Sequence, residues 1–495
     1  MNSTWKPAEQ WEKWDKWILS GGAAIFLLFI CLFGYTGNFF LLAVPFGMAI
    51  LCWLIFDWKS FFWFFLLTIP LSCEIQLGNG VLSTSVPDEQ LMWLFVPATI
   101  FIVLYNYRIL PKWFLEHPIT LILFLQFVWL VVSVIFSQNH LLSFKFLAAK
   151  IWFLCSFVIL PVLVFREKKD FKKAFLLITV PIILHAIVAF SWHMYLHFDF
   201  WASNDVVRPF YFNHVDYSTV LSMVFPLLLV AYQLCKGKPR QRFVLLLVII
   251  FFIPAIYFAA ARAAMLAVVF SLVIAFAIRK KLVNLIMPGF FAFIILVVSL
   301  ISYNNNYIKY RPNMKYTATQ RTFSDLITAT FRGHDMSSME RFYRWIASIK
   351  MSTEHPIVGV GPNNFYDHYK GHTVPMFKTW VSRNPERSTT HNYFLFMLVE
   401  QGWPSMLLYA VLLVVVFARA QKIYHRARDP FYKKVTMGLI MMFAAGFVNN
   451  FFSELLETHK IGALFFISIT LLIVVDHLTK KEEAGLAEAG VDRKA

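Results

Sequence analysis

A handful of basic side chains in this sequence stand where they could act on an anion. Arg262 lies in Tyr257–Phe258–Ala259–Ala260–Ala261–Arg262–Ala263–Ala264–Met265–Leu266, between two apolar runs with almost no loop to separate them. Small residues on both sides let neighbouring backbones approach closely. An arginine at the hydrocarbon centre costs at least about 2.5 kcal/mol, and much less near an interface. A snorkelling arginine that only set topology would lie on the cytoplasmic side; the topology derived below puts Arg262 on the outer side, which favours a cavity that holds an anion. Arg208 opens Arg208–Pro209–Phe210–Tyr211–Phe212–Asn213–His214–Val215–Asp216–Tyr217, again on the outer side, with His214 and Asp216 close by. The competing reading is an interfacial loop whose aromatics belong to the membrane belt. Arg341 and Arg344 are three residues apart on a predicted helix and share one face. A solvated basic face is the simpler account of at least one of them. His391 closes a long polar stretch in Ser388–Thr389–Thr390–His391–Asn392–Tyr393. An imidazole with an ordinary pKa near 6.5 suits a general base, although a lone histidine is more often structural.

What is missing narrows the chemistry. The sequence has no Asp-x-Asp pair, no P-loop and no Gly-x-Ser-x-Gly elbow. Acidic residues are scarce on the outer side, so a divalent-metal site built from carboxylates is not expected, nor is a cofactor. Cys31, Cys52, Cys73, Cys155 and Cys235 sit in or beside apolar runs without metal-type spacing, which argues against zinc or a disulfide framework. A cavity lined by arginines, with one candidate base, suits a phosphorylated anionic lipid, because guanidinium forks grip phosphate in a bidentate way.

The elements that must position these groups are membrane helices. Of the 495 residues, 59% are hydrophobic and only 15% charged, against roughly 25% charged in a soluble domain; mean hydropathy is +0.62. Apolar runs long enough to cross a bilayer recur along the chain, and lipid leaves their backbone groups no alternative to helix. The period-two alternation of a barrel is absent. The expected fold is therefore all-α, a polytopic transmembrane helical bundle of about 12–14 spans, with apolar segments running from 17–34 to 460–478. Only Trp58 and Lys59 separate the second from the third. The net charge of +17 lies largely in short loops, where it sets topology and meets anionic lipid heads rather than nucleic acid. Residues 1–16 form a short polar leader with no cleavage site after the first apolar run.

Placing the N-terminus in the cytoplasm and alternating puts nearly every Lys/Arg cluster inside and leaves 74–90, which carries acids and no bases, outside. Both termini are then cytoplasmic. The division follows: N-terminal transmembrane helices over 1–302, a large outer loop over 303–391, C-terminal transmembrane helices over 392–478 and a cytoplasmic tail over 479–495. Within the loop, Arg311, Arg321, Arg332, Arg341, Arg344, Arg383 and Arg387 are spread along the chain. A segment from 340 to 354 reads as an amphipathic helix with Phe342, Trp345, Ile346 and Ile349 on its apolar face. His355–Pro356 and then Gly359–Val360–Gly361–Pro362 mark its stop and turn.

Arg341–Phe342–Tyr343–Arg344–Trp345, then the Gly359, Gly361, Pro362 turn, then His391–Asn392 before a helix carrying Glu400–Gln401–Gly402, resembles the O-antigen ligase and polymerase superfamily in order and spacing. The sequence around Arg262 and Arg208 also looks like that family's earlier signatures, with Ala261 where a serine is common. The resemblance implies an inverting, metal-independent glycosyltransferase of the bacterial inner membrane. It would move a glycan from an undecaprenyl-diphosphate carrier to an acceptor hydroxyl on the periplasmic side. Arg208, Arg262 and Arg341 would bind the diphosphate and His391 would activate the acceptor; Gly359, Gly361, Pro362 and Asn392 would be structural. Lipid A-core as acceptor makes an O-antigen ligase, the favoured reading. A second carrier-linked glycan makes a polymerase, and a protein hydroxyl makes an O-oligosaccharyltransferase. Two other classes are a polysaccharide flippase, for which internal repeats and broken helices would be expected, and a purely structural membrane protein.

Overall fold

The structure is a computed structural model that describes residues 12–77, 82–310, 336–374 and 389–488. Arg311, Arg321, Arg332, Arg383 and Arg387, singled out above, lie outside the described residues, as does most of the leader. The chain falls into two compact units, Met1–Phe65 and Leu66–Ala495.

The first unit holds α1 (Glu12–Thr36), α2 (Ala43–Phe56) and the start of α3 (Trp58–Leu71). Asp57 alone parts α2 from α3, and its carboxylate accepts from the Ser60 N–H at 3.1 Å, capping α3. Trp53 packs on Phe61 and Phe64 at ring separations of 5.6 and 5.1 Å.

The second unit continues with a short antiparallel hairpin, β1 (Cys73–Leu77) against β2 (Leu82–Val86). Eleven longer helices follow apart from one in the polar loop: α4 (Asp88–Tyr105), α5 (Pro118–Ile135), α6 (His140–Val164), α7 (Lys168–Tyr195), α8 (His214–Leu234), α9 (Pro239–Phe258), α10 (Arg262–Arg279), α11 (Val283–Ser302), the loop helix α12 (Met336–Glu354), α13 (Tyr393–Arg426), α14 (Pro430–Phe451) and α15 (His459–Glu488). Among the described residues, eleven helices are long and apolar enough to cross a membrane, and three shorter apolar helices precede them. A polytopic helical bundle is therefore the fold. The hairpin is the departure from an all-helical expectation: Glu74–Ile75–Gln76–Leu77 alternates in polarity, and the Asn79–Gly80 step between the strands is a hairpin signal.

Side-chain caps begin the helices: Asn139, Asn213, Asn392 and Asp429 each accept a backbone N–H at the start of α6, α8, α13 and α14. The connections sort to two ends. At one end the Gln138 N–H donates to the Val360 carbonyl, the Glu74 N–H to Pro209, and the Asn392 amide to Phe451. At the other end His425 bonds the Ile278 carbonyl, Gln421 accepts the Val283 N–H, Lys168 pairs with Asp429, and Trp113 stacks on His477. The former set is the one that the charge pattern assigns to the outer side.

The loop helix forms where the sequence puts it, but its buried face is turned from the expected one. Tyr343, Arg344, Ile346, Ala347, Ser348 and Met351 are buried, whereas Ile349 is exposed and Phe342 and Trp345 are only half-buried. Small Ala347 and slender Met351 let α12 settle onto Val399 of α13 with Val360, Phe365 and Tyr369. The wider aromatics remain at the flank, where Trp345 meets Phe451 edge-on.

Candidate functional site

α13 is interrupted at Gly402, whose φ of 78° and ψ of −178° no helix accommodates. The break frees carbonyls of the preceding turn, and the polar loop uses them. The Val360 N–H donates to the Val399 carbonyl at 2.9 Å, the Gly361 N–H to Glu400 at 3.0 Å, and the Trp403 N–H to Pro356 at 2.9 Å. Contact is so close that a Cβ on Gly402 would overlap the Ile357 carbonyl, and one on Gly359 the backbone at Glu400. Both glycines also hold positive φ, so each is required twice over. The Glu400 carboxylate completes the joint by accepting the N–H groups of Asn363 (2.6 Å) and Phe365 (3.3 Å). Gly361 lies against Ser137, and Ser143 donates to the Pro362 carbonyl at 2.7 Å. The turn is thus riveted to α13 and to the start of α6.

This joint fixes the far end of α12 and so the direction of its first two arginines. Arg344 is buried to 2% exposure and in hydrogen-bond contact with Tyr369. Arg341 is half-buried on the same helix. Both guanidiniums bear on His391. That histidine takes a left-handed backbone (φ 50°) just ahead of α13. Asn392 holds it there: its side chain accepts the Leu395 N–H at 3.1 Å and donates to the Phe451 carbonyl at 3.0 Å, and the Thr390 hydroxyl donates to the Asn392 carbonyl at 2.9 Å. The His391 Nδ1 is buried and has no hydrogen-bond partner among the described residues. Burial, and then the positive charges of Arg341 and Arg344, hold the imidazole well below the ordinary histidine range, so it is neutral at pH 7.

Glu454, between α14 and α15, supplies a carboxyl to the same cluster. It faces Thr389 and the backbone N–H of His391, with Arg344 and Arg341 nearby. Burial raises it above the usual carboxylate range, against the pull of those four neighbours.

Arg262 and Arg208 stand at this same end of the bundle. Arg262 is the first residue of α10 and half-buried; Ala261 before it provides no side-chain cap, and Ala260 is left-handed at φ 56°. A guanidinium beside the N–H groups of a helix start joins two features that favour an anion. Arg208 is exposed on the loop between α7 and α8, where the Asn213 side chain accepts the N–H groups of Val215 and Asp216 and the His214 ring meets Asn204 at 2.8 Å.

Two members of this constellation were not among the residues chosen from sequence. A solvated basic face is the simpler sequence account of one arginine of the Arg341/Arg344 pair, and the family pattern favours Arg341, so Arg344 stands outside the chosen set. Glu454 had a signal: it is one of two acids, with Glu457, in the short connection between α14 and α15, just beyond Phe451–Phe452–Ser453.

A family model described as O-antigen ligase matches residues 245–410. That stretch carries Arg262, Arg341, Arg344, the 359–362 turn, His391 and the Gly402 break, and leaves Arg208 and Glu454 outside it. No curated protein matches the chain.

Proposed function

We propose, from the match of residues 245–410 to the O-antigen ligase family model, that the chain is a membrane enzyme of glycan transfer that moves a glycan from an undecaprenyl-diphosphate carrier to the hydroxyl of lipid A-core. The observation that carries this reading is the convergence of Arg341 and Arg344 on a neutral, buried His391 whose Nδ1 has no hydrogen-bond partner among the described residues. Cations around an uncharged base are arranged for a leaving group that gathers negative charge while a hydroxyl loses its proton.

In this mechanism Arg208, Arg262 and Arg341 bind the diphosphate, and Arg344 joins them as a residue added by the geometry. The acceptor oxygen attacks the anomeric carbon from the face opposite the diphosphate. The new C–O bond forms as the bond to the phosphate oxygen breaks, the electron pair leaves with the diphosphate, and the configuration inverts. The hydroxyl proton passes to His391. Guanidiniums already in place stabilise the departing charge with little reorganisation. The donor also prepares the base, because its phosphates offset the two arginine charges that add to burial in holding His391 below its usual range. Glu400, Gly359, Gly361, Pro362 and Asn392 serve this chemistry by fixing the loop and His391. The active end faces the periplasm and both termini the cytoplasm, so the protein sits in the bacterial inner membrane.

The test is to incubate the purified protein with a carrier-linked glycan and, separately, lipid A-core, a second carrier-linked glycan, and a Ser/Thr peptide. Glycosylated lipid A-core with an inverted anomeric linkage and released undecaprenyl diphosphate is the expected product. Product only with the second or third acceptor would make the protein a polymerase or a protein glycosylase. Movement of the glycan across vesicles without any new glycosidic bond would sink the reading altogether.

A further inference from the structure

Lys460, the second residue of α15, is 5% exposed, although it carries a charge at the start of a long apolar helix. Its ammonium donates to two main-chain carbonyls far apart in sequence, Ser72 at 2.8 Å and Phe210. The same nitrogen lies 4.4 Å from the centre of the Tyr211 ring. Glu74, Asp88 and Asp216 surround it with carboxyls.

These contacts close a ring. Ser72 is two residues before Glu74, whose N–H donates to the Pro209 carbonyl at 2.8 Å. Pro209 and Phe210 follow Arg208 directly. Two consecutive carbonyls just after Arg208 are thus held, one by the hairpin and one by Lys460, and Lys460 also holds the hairpin's root. Ahead of Arg208, its own N–H bonds the Asp205 carbonyl at 3.3 Å. The outcome is an exposed arginine side chain on a backbone fixed from both sides. A charge is costly in such a place unless it serves a purpose, and a binding group whose backbone is fixed beforehand loses less entropy when its ligand arrives. Lysine suits the task because a compact ammonium directs separate protons to separate acceptors, which a planar guanidinium cannot do at the same two points.

We propose that Lys460 is a positioning residue for the donor: it clamps the 205–213 loop to the hairpin so that Arg208 meets the diphosphate. The proposal rests on the assignment of Arg208 to diphosphate binding made above, and the experiment separates the two. Wild type, Lys460→Met, Arg208→Ala and the double variant are placed in nanodiscs. Binding of undecaprenyl diphosphate, the sugar-free product, is measured alongside amide hydrogen exchange. Lys460→Met should speed exchange over 205–213 and 73–77 and weaken binding roughly tenfold, the scale of one charge-assisted hydrogen bond lost. The double variant should bind no worse than Arg208→Ala alone, because the clamp acts only through that arginine. Unchanged exchange in Lys460→Met overturns the clamp whatever Arg208 does. Additive losses in the double variant overturn it as well, since Lys460 would then act by another route. Faster exchange together with normal binding by Arg208→Ala would mean that the diphosphate assignment fails and that the clamp serves some other end. If Lys460→Met does not insert, Lys460→Gln, which can reach one carbonyl but not both, carries the same comparison.

Discussion

The two ends of the bundle treat arginine in opposite ways. At the end away from the site, Arg426 donates to the Asp476 carboxylate at 2.7 Å, to the Thr479 hydroxyl at 2.7 Å and to the Asp476 carbonyl at 2.9 Å. Lys480 and His117 approach the same carboxylate at 2.7 and 3.5 Å. The basic groups there converge on one carboxylate. At the site end, Arg341 and Arg344 crowd a histidine, and the carboxyl they bear on, Glu454, is itself pushed toward its neutral form by burial. The first arrangement holds helices together. The second is the arrangement that the proposed diphosphate site would use.

Substitutions can break that comparison, and the largest effects belong to the site end. His391→Ala should lower transfer by roughly a thousandfold, the range for loss of a general base, with membrane insertion intact. Near-normal turnover would show that the acceptor is activated otherwise. Arg341→Ala and Arg262→Ala should each cost on the order of a hundredfold, as loss of charge stabilisation at a leaving group does. Next in size is a matched pair of exchanges. Arg341→Lys, at the half-buried arginine of the pair, should lower turnover about tenfold while leaving the melting temperature nearly unchanged, since an ammonium cannot reproduce the fork. Arg426→Lys should do the reverse, lowering the melting temperature and leaving turnover within about twofold, because it disturbs a paired site whose value is structural. Equal behaviour of the two variants would erase the distinction between the ends.

The smallest effect sharpens the comparison through pH. His391 is held below its ordinary range in the empty protein, so it stays neutral, and competent as a base, as pH falls past 6.5. The acid limb of kcat/KM, which reports the free enzyme, should lie below that value. The limb of kcat should lie at higher pH, because the bound diphosphate offsets the charges of Arg341 and Arg344. Superimposed limbs would mean that the donor does not reach those guanidiniums.

Much of this was legible in the sequence. Hydropathy located the spanning helices, since lipid allows such segments only one backbone solution, and the lysine and arginine clusters sorted the loops into the two groups that gather at the two ends. The loop helix and its stop were also legible. What pattern reading missed is which side of that helix faces inward. An apolar count favoured Phe342, Trp345, Ile346 and Ile349; Ile346 is buried as expected, yet the contact with α13 is made by Ala347 and Met351, and Arg344 is buried with them. A hydrophobic face is predicted by transfer energy, whereas this face is chosen by close approach to α13 and by a charge the site requires. Gly359 and Gly361 were legible as a turn, but the partner of that turn, the break at Gly402, was not, because contacts across forty residues of sequence leave no local period. Lys460 was hidden for the same reason: its acceptors are carbonyls, which any residue supplies.

The break at Gly402 has a mechanical consequence. A carrier-bound glycan is a long, heavily hydrated chain, and its thermal drag on the reacting sugar is transmitted to whatever grips the diphosphate. Because the segment after α12 is stitched to the opened turn at Gly402, such tugging would be passed into the backbone of α13 rather than into a flexible strap. On the proposed reading, Arg341 and Arg344 behave as fittings on a mast, and the stagger between them and His391 would persist however the polymer outside swings.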